Sequence, residues 1–176
     1  MPENATPSLQ QLVSAEALQD IDNWIAKYPA NERQSAVMSA LRIVQDAQGF
    51  LSTDSMNAVA DYLNMPRIAV YEVATFYTMY NLQPVGKHVL EVCTNISCQL
   101  RGSAQIMAHL ESRLGIRDGE TTEDGCFTLK HAECLGACVN APMMQVGRVY
   151  HENLTPERID SLLASYREGR EGECHG

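Results

Sequence analysis

Four cysteines in two close pairs constrain this chain more than any other feature. Cys93 and Cys98 form a C-x4-C pair, Cys134 and Cys138 form a C-x3-C pair, and 35 residues lie between the two. Each pair begins where a short apolar run ends. His88-Val89-Leu90-Glu91-Val92 leads straight into Cys93, and Phe127-Thr128-Leu129-Lys130-His131-Ala132-Glu133 leads into Cys134. Such runs read as strands, so both pairs are expected in loops at the same end of one sheet. Two loops with two thiols each make a soft, all-sulfur donor set of the kind that zinc and iron–sulfur clusters take.

The spacing by itself leaves the metal open. Both x4 and x3 fall within zinc-site spacing, so a redox-inert, zinc-stabilised assembly module stands as one reading. The 35-residue gap is wider than compact zinc ribbons use. That favours a [2Fe–2S] cluster, in which four thiolates complete two sulfide-bridged irons. A plant-type ferredoxin would continue with a cysteine at position 101, where Arg101 stands. A thiol–disulfide enzyme is a weaker reading still, because no C-x-x-C occurs. Loops suit a cluster because their free N–H groups can hydrogen-bond its sulfurs. A helix N-terminus after Cys98, together with Arg101, would ease its negative charge. Gly136 suits a tight turn with positive φ, and Pro142 is a candidate for a cis bond. Cys126 has no paired spacing and reads as a core thiol. Cys174, beside His175, sits in a tail with no packing pattern. His88, His109, His131 and His151 are scattered and read as ordinary side chains.

Charge and hydropathy narrow the class. A formal net charge of −9 over 176 residues would be repelled by phosphate backbones, which argues against nucleic acid. No stretch approaches the roughly 20 apolar residues that span a bilayer. The start, Met1-Pro-Glu-Asn-Ala-Thr-Pro, lacks the basic and apolar regions of a secretory signal. The expectation is a cytoplasmic chain that reaches a membrane only through partners, and in a reducing cytoplasm clustered cysteines point to metal rather than to disulfides.

The first half reads as helices. Residues 1 to about 13 form a polar leader. Ser14 caps a helix carrying Leu18, Ile21, Trp24 and Ile25, and a second starts near Asn31, buries Val37, Leu41 and Val44, and stops at Gly49. A third fits Thr53 to Leu63. Pro66 opens a fourth that runs through Ile68, Val73 and Phe76 to about Tyr80. Phe76, Tyr77, Met79 and Tyr80 cluster on it, two of them expected in the core and the outward ones forming a contact patch. After Pro84-Val85-Gly86 the order becomes strand, helix (Ser103 to Leu114), strand, hairpin about Gly147, and a helix capped by Thr155. That is an α/β half in thioredoxin-like order. The expected organisation is a leader and helical bundle over 1–83, a cysteine-bearing domain over 84–167, and a disordered tail over 168–176.

Three runs carry a family resemblance. Glu72-Val-Ala-Thr-Phe-Tyr-Thr-Met-Tyr80, Val92-Cys-Thr-Asn-Ile-Ser-Cys-Gln-Leu-Arg-Gly102 and Glu133-Cys-Leu-Gly-Ala-Cys-Val-Asn-Ala-Pro-Met143 resemble the 24 kDa subunit family of NADH-quinone oxidoreductase, respiratory complex I, whose bacterial members are its E-type subunits. The resemblance spans about residues 14 to 167. It implies an N-terminal helical bundle, then a thioredoxin-like [2Fe–2S] ferredoxin domain whose ligands match Cys93, Cys98, Cys134 and Cys138. It also implies an oxidoreductase subunit that binds no substrate itself. Its partner would be a flavin-containing, NADH-binding subunit whose FMN exchanges an electron with the cluster, with FMN and NADH held only there. Such a subunit sits peripherally on the cytoplasmic face of the inner membrane. Related subunits of NAD-linked hydrogenases and formate dehydrogenases share the signature. The chain has no G-x-G-x-x-G run for a dinucleotide of its own.

Overall fold

The computed structural model describes residues 7–169 and divides the chain into two compact units, Met1–Pro84 and Val85–Gly176. The tail reading falls on residues that, beyond Gly169, lie outside the described ones, as does Cys174.

The first unit is helical: α1 (Leu9–Leu12), α2 (Ala15–Ile25), a 3₁₀ segment (Ala30–Ala36) leading into α3 (Val37–Gln48), α4 (Thr53–Leu63) and α5 (Arg67–Phe76). Its boundaries follow local chemistry. The Ser14 and Ser52 hydroxyls accept from the N–H groups of Ala17 and Ser55, satisfying donors that the first turn leaves orphaned. Gly49, at φ +82°, ends α3 in the left-handed region that glycine enters without penalty. Ile21, Leu41, Val44, Val59, Leu63 and Val70 are fully buried and form the centre of this unit's core.

Three elements differ from the sequence reading. The leader is not loose throughout, because Leu9 is buried in the core and Gln11 accepts from the Ser8 N–H at 2.9 Å to open α1. Four residues show no period, and the local mark of this helix is its capping box, Ser8 with Gln11 three residues on. The second helix proper starts at Val37 rather than near Asn31, since the preceding turn is 3₁₀ and breaks at Glu32 (φ −118°, ψ 30°). The fourth stops at Phe76, with Tyr77 already extended. Tyr80 explains the early stop. Its ring is buried and its hydroxyl donates to the Met38 carbonyl, while Gln45 bonds both the Met79 carbonyl and the Asn81 N–H. That clamp pulls the segment out of helical register. The inward face of α5 is Val70 and Ala74, and Ile68 (63% exposed) and Phe76 (77% exposed) point away. Of the four clustered residues, only Tyr80 is core.

The second unit holds a four-stranded sheet of order β2-β1-β3-β4, from β1 (His88–Cys93), β2 (Phe127–Ala132), β3 (Met144–Val146) and β4 (Val149–His151). β1 and β2 are parallel, His88 opposite Phe127 through Cys93 opposite Ala132, and the other pairs are antiparallel. A short α6 (Ile96–Leu100) and the longer α7 (Ser103–Leu114) make the crossover between the parallel strands, and α8 (Pro156–Arg167) follows the hairpin. The core packs Leu90, Val92, Phe127, Leu129 and Met144 of the sheet with Ile106 and Leu110 of α7 and Ile159 and Leu163 of α8. Gly86 sits where the chain enters β1. A Cβ there would lie 2.8 Å from the Phe127 carbonyl carbon, so only glycine allows this approach. Inside the core His151 and Tyr166 share a 2.7 Å hydrogen bond, and the His88 ring packs 4.8 Å from that of Tyr166.

This packing sets the outcome of two experiments. Leu41→Ala opens a void at a fully buried site and should cost about 2–5 kcal/mol, whereas Ile68→Ala should stay within about 0.5 kcal/mol; urea unfolding followed by circular dichroism reads both. Burial, aided by the Arg158 charge, holds the His151 imidazole below its ordinary pKa of 6.5. The unfolded chain therefore takes up that proton first, and stability present above pH 6.5 is lost as pH falls below it. The drop in urea midpoint between about pH 7.5 and 5.5 should shrink in His151→Gln; an unchanged drop would remove His151 as its source.

Candidate functional site

Parallel pairing of β1 with β2 brings the two cysteine loops together, because parallel strands end on the same side. Cys93 is the last residue of β1 and lies opposite Ala132, two residues before Cys134. The first loop then turns into α6. The Asn95 side chain accepts from the Ile96 N–H at 2.7 Å, capping that short helix so that Cys98, inside it, faces inward. The second loop turns at Gly136, with φ +87°, and passes through a 3₁₀ turn (Cys138–Asn140) to the cis Ala141–Pro142 bond and the buried Met143.

Hydrogen bonds tie the loops to each other and to the sheet. The Cys93 thiol donates to the Glu133 carbonyl at 2.9 Å, the Cys93 N–H to the Met143 carbonyl at 3.1 Å, and the Thr94 N–H to the Ala132 carbonyl at 2.9 Å. Tyr150, from β4, donates its hydroxyl to the Leu135 carbonyl at 2.6 Å and so holds the second loop from the far edge. Asn140 reaches Glu152 at 2.7 Å, fixing the loop's exit.

The four thiols form two unlike pairs. Cys93 (3% exposed) and Cys98 (1% exposed) pack with Ala141 and Met143, whereas Cys134 and Cys138 are exposed and their sulfurs lie 3.8 Å apart. Burial pushes the Cys98 thiol up to about 11, a hydrogen bond with Cys93 and the charges of Cys93 and Cys138 push the same way, and the Met143 backbone opposes them. Cys98 thus senses one partner from its own loop and one from the other. An all-sulfur set gathered from two loops would suit a [2Fe–2S] group, whose iron ions would offset the crowding of thiolate charge even though the cluster as a whole stays negative. Among the described residues, no three His, Cys, Asp or Glu side chains are placed to hold a single metal ion.

The remaining sequence-marked residues fall outside this cluster. Cys126 is half-buried against the second unit's core. Arg101 is exposed and ends α6, its N–H bonded to the Ser97 and Cys98 carbonyls. The helix expected after Cys98 is α7, but Cys98 itself already lies in α6. His131 pairs with Asp118 at 2.6 Å and His109 with Asp160 at 3.0 Å. Asn95 and Tyr150, which shape the loops, were missed. Asn95 is an N-cap residue type before an apolar position and was legible, whereas Tyr150 reaches Leu135 only through the hairpin.

Known proteins match this architecture. The family model for thioredoxin-like [2Fe–2S] ferredoxins matches residues 21–167. An NADH-quinone oxidoreductase E-type subunit of Rhizobium meliloti (strain 1021) is 50% identical, over 85% of this chain and 88% of its own length. The E-type subunit of Rickettsia bellii (strain RML369-C) is 46% identical, over 83% and 88%. Among solved structures, an NAD+-reducing [NiFe]-hydrogenase in the air-oxidised state superposes with a TM-score of 0.64 at 20% identity. The match covers 81% of this chain and 24% of the hydrogenase chain, a likeness of fold.

Proposed function

The chain belongs to the thioredoxin-like [2Fe–2S] ferredoxin family and to the E-type subunits of NADH-quinone oxidoreductase, and from that membership we propose that Cys93, Cys98, Cys134 and Cys138 hold its cluster. It is an electron-transfer subunit of an oxidoreductase complex and carries one [2Fe–2S] cluster. A single observation carries the ligand assignment. The parallel register sets Cys93 opposite Ala132, two residues before Cys134, so both cysteine loops leave the same end of the sheet.

A [2Fe–2S] group bound there supplies one-electron exchange. The chain's own residues divide the other tasks. Cys93 and Cys98, buried with Met143, hold one side dry, while exposed Cys134 and Cys138 leave the other side open to a redox partner. Asn95 and Tyr150 position the loops.

The partner in this reading is the flavin-bearing, NADH-binding subunit of the same complex, with FMN and NADH held there. Ile96, Leu100 and Val139 support it. These large apolar side chains are exposed on the cysteine loops themselves, a pattern suited to a protein interface. In the helical unit, exposed Phe76, Tyr77 and Met79 offer a second such surface, Phe76 and Tyr77 packed edge to face at 5.0 Å. Among the described residues no helix is long and apolar enough to cross a membrane, and the proposed location is peripheral, on the cytoplasmic face of the inner membrane.

Serine replacement of each motif cysteine in turn should abolish or alter the electron paramagnetic resonance signal of the dithionite-reduced protein, whereas Cys126→Ser should leave it unchanged. An unaltered signal from Cys134→Ser would overturn the ligand assignment.

A further inference from the structure

The outer pair has a chemistry of its own before any cluster is present. The Cys134 and Cys138 sulfurs are exposed and 3.8 Å apart, and a disulfide needs about 2.05 Å. Closing that gap asks for side-chain rotation and a small loop adjustment. Both thiols face solvent, and Gly136, between them, turns the loop at φ +87° with open space beside its Cα. The inner pair is shut off. Cys98 is packed beneath Ala141 and Met143, and the Cys93 thiol is engaged with the Glu133 carbonyl.

We propose that in the cluster-free chain Cys134 and Cys138 form a thiol–disulfide exchange site for low-molecular-weight disulfides such as oxidised glutathione, and that the resulting bridge closes the site to iron. The thiolate of one outer cysteine attacks a sulfur of the small disulfide, forming a mixed disulfide and expelling one glutathione thiolate. The thiolate of its neighbour then attacks the protein sulfur of that mixed disulfide, forming the bridge and expelling the second glutathione thiolate. Two protein thiols are oxidised, one small disulfide is reduced to two thiols, and those thiols carry away both protons. A dithiol reductant reverses the sequence. Exchange stops at the outer pair because a solvent-borne disulfide cannot reach the inner sulfurs. The bridge rests on exposure and distance alone, whereas its effect on iron rests on the ligand assignment above.

The test uses the full chain, stripped of metal by chelation under reducing conditions and then treated with oxidised glutathione. Alkylation and peptide mass spectrometry should find a Cys134–Cys138 bridge with Cys93 and Cys98 still reduced. In Cys138→Ser, Cys134 should instead retain one glutathione. Ferrous iron and sulfide should give the bridged chain no visible absorption until dithiothreitol is added. A bridge involving Cys93 or Cys98, two separate glutathione adducts, or unmodified outer thiols would overturn the inference. If the outer thiols stay unmodified while the reduced chain takes up its cluster, the ligand assignment stands and only this inference falls. A bridged chain that takes up the cluster normally would sink both.

Discussion

The parallel register of β1 with β2 is the constraint on which the rest depends. With Cys93 opposite Ala132, the chain leaves both strands at one sheet end, and four thiols separated by up to 45 positions in sequence become neighbours. A slip of one residue would turn Cys93 to the other face of the sheet. The register is held by the burial of Leu90, Val92 and Leu129 beneath α7 and α8 and by the close approach of Gly86 to Phe127. The core of the second unit thus fixes the spacing of the four cysteines proposed as ligands, and core and candidate site cannot vary independently.

Much of this was legible in residues. Helix α4 spans the positions that its pattern marks, α7 runs from Ser103 to Leu114 as read, and Thr155 caps α8 through the Arg158 N–H. Gly136 takes the positive φ read for it, and the Ala141–Pro142 bond is cis. These features are local, settled by caps, periods and turn chemistry within a few residues. What escaped was set at long range. Leu9 looks like a leader residue until its burial is seen, and of the apolar residues in α5 it is Val70 and Ala74, not Ile68 or Phe76, that are buried. The end of that helix is decided by Gln45 and Tyr80, whose partners lie 36 and 42 positions away.

The same division applies within the site. Spacing singles out the four cysteines as candidates, but nothing in C-x4-C or C-x3-C says that one pair is buried and the other open. That asymmetry comes from α6, which turns Cys98 inward, and from the second loop, which runs outward over Gly136. A redox group placed there would be insulated on one side and accessible on the other. Electron exchange between proteins requires that combination, with low reorganisation at the centre and close approach at the edge.

The central claim is that two irons and two sulfides sit between these loops, and elemental analysis tests it most directly. Protein purified without oxygen and assayed for iron, zinc and acid-labile sulfide should hold iron and sulfide in equal amounts, about two of each per chain, with zinc absent. Colourless protein with one zinc per chain and no sulfide would contradict it.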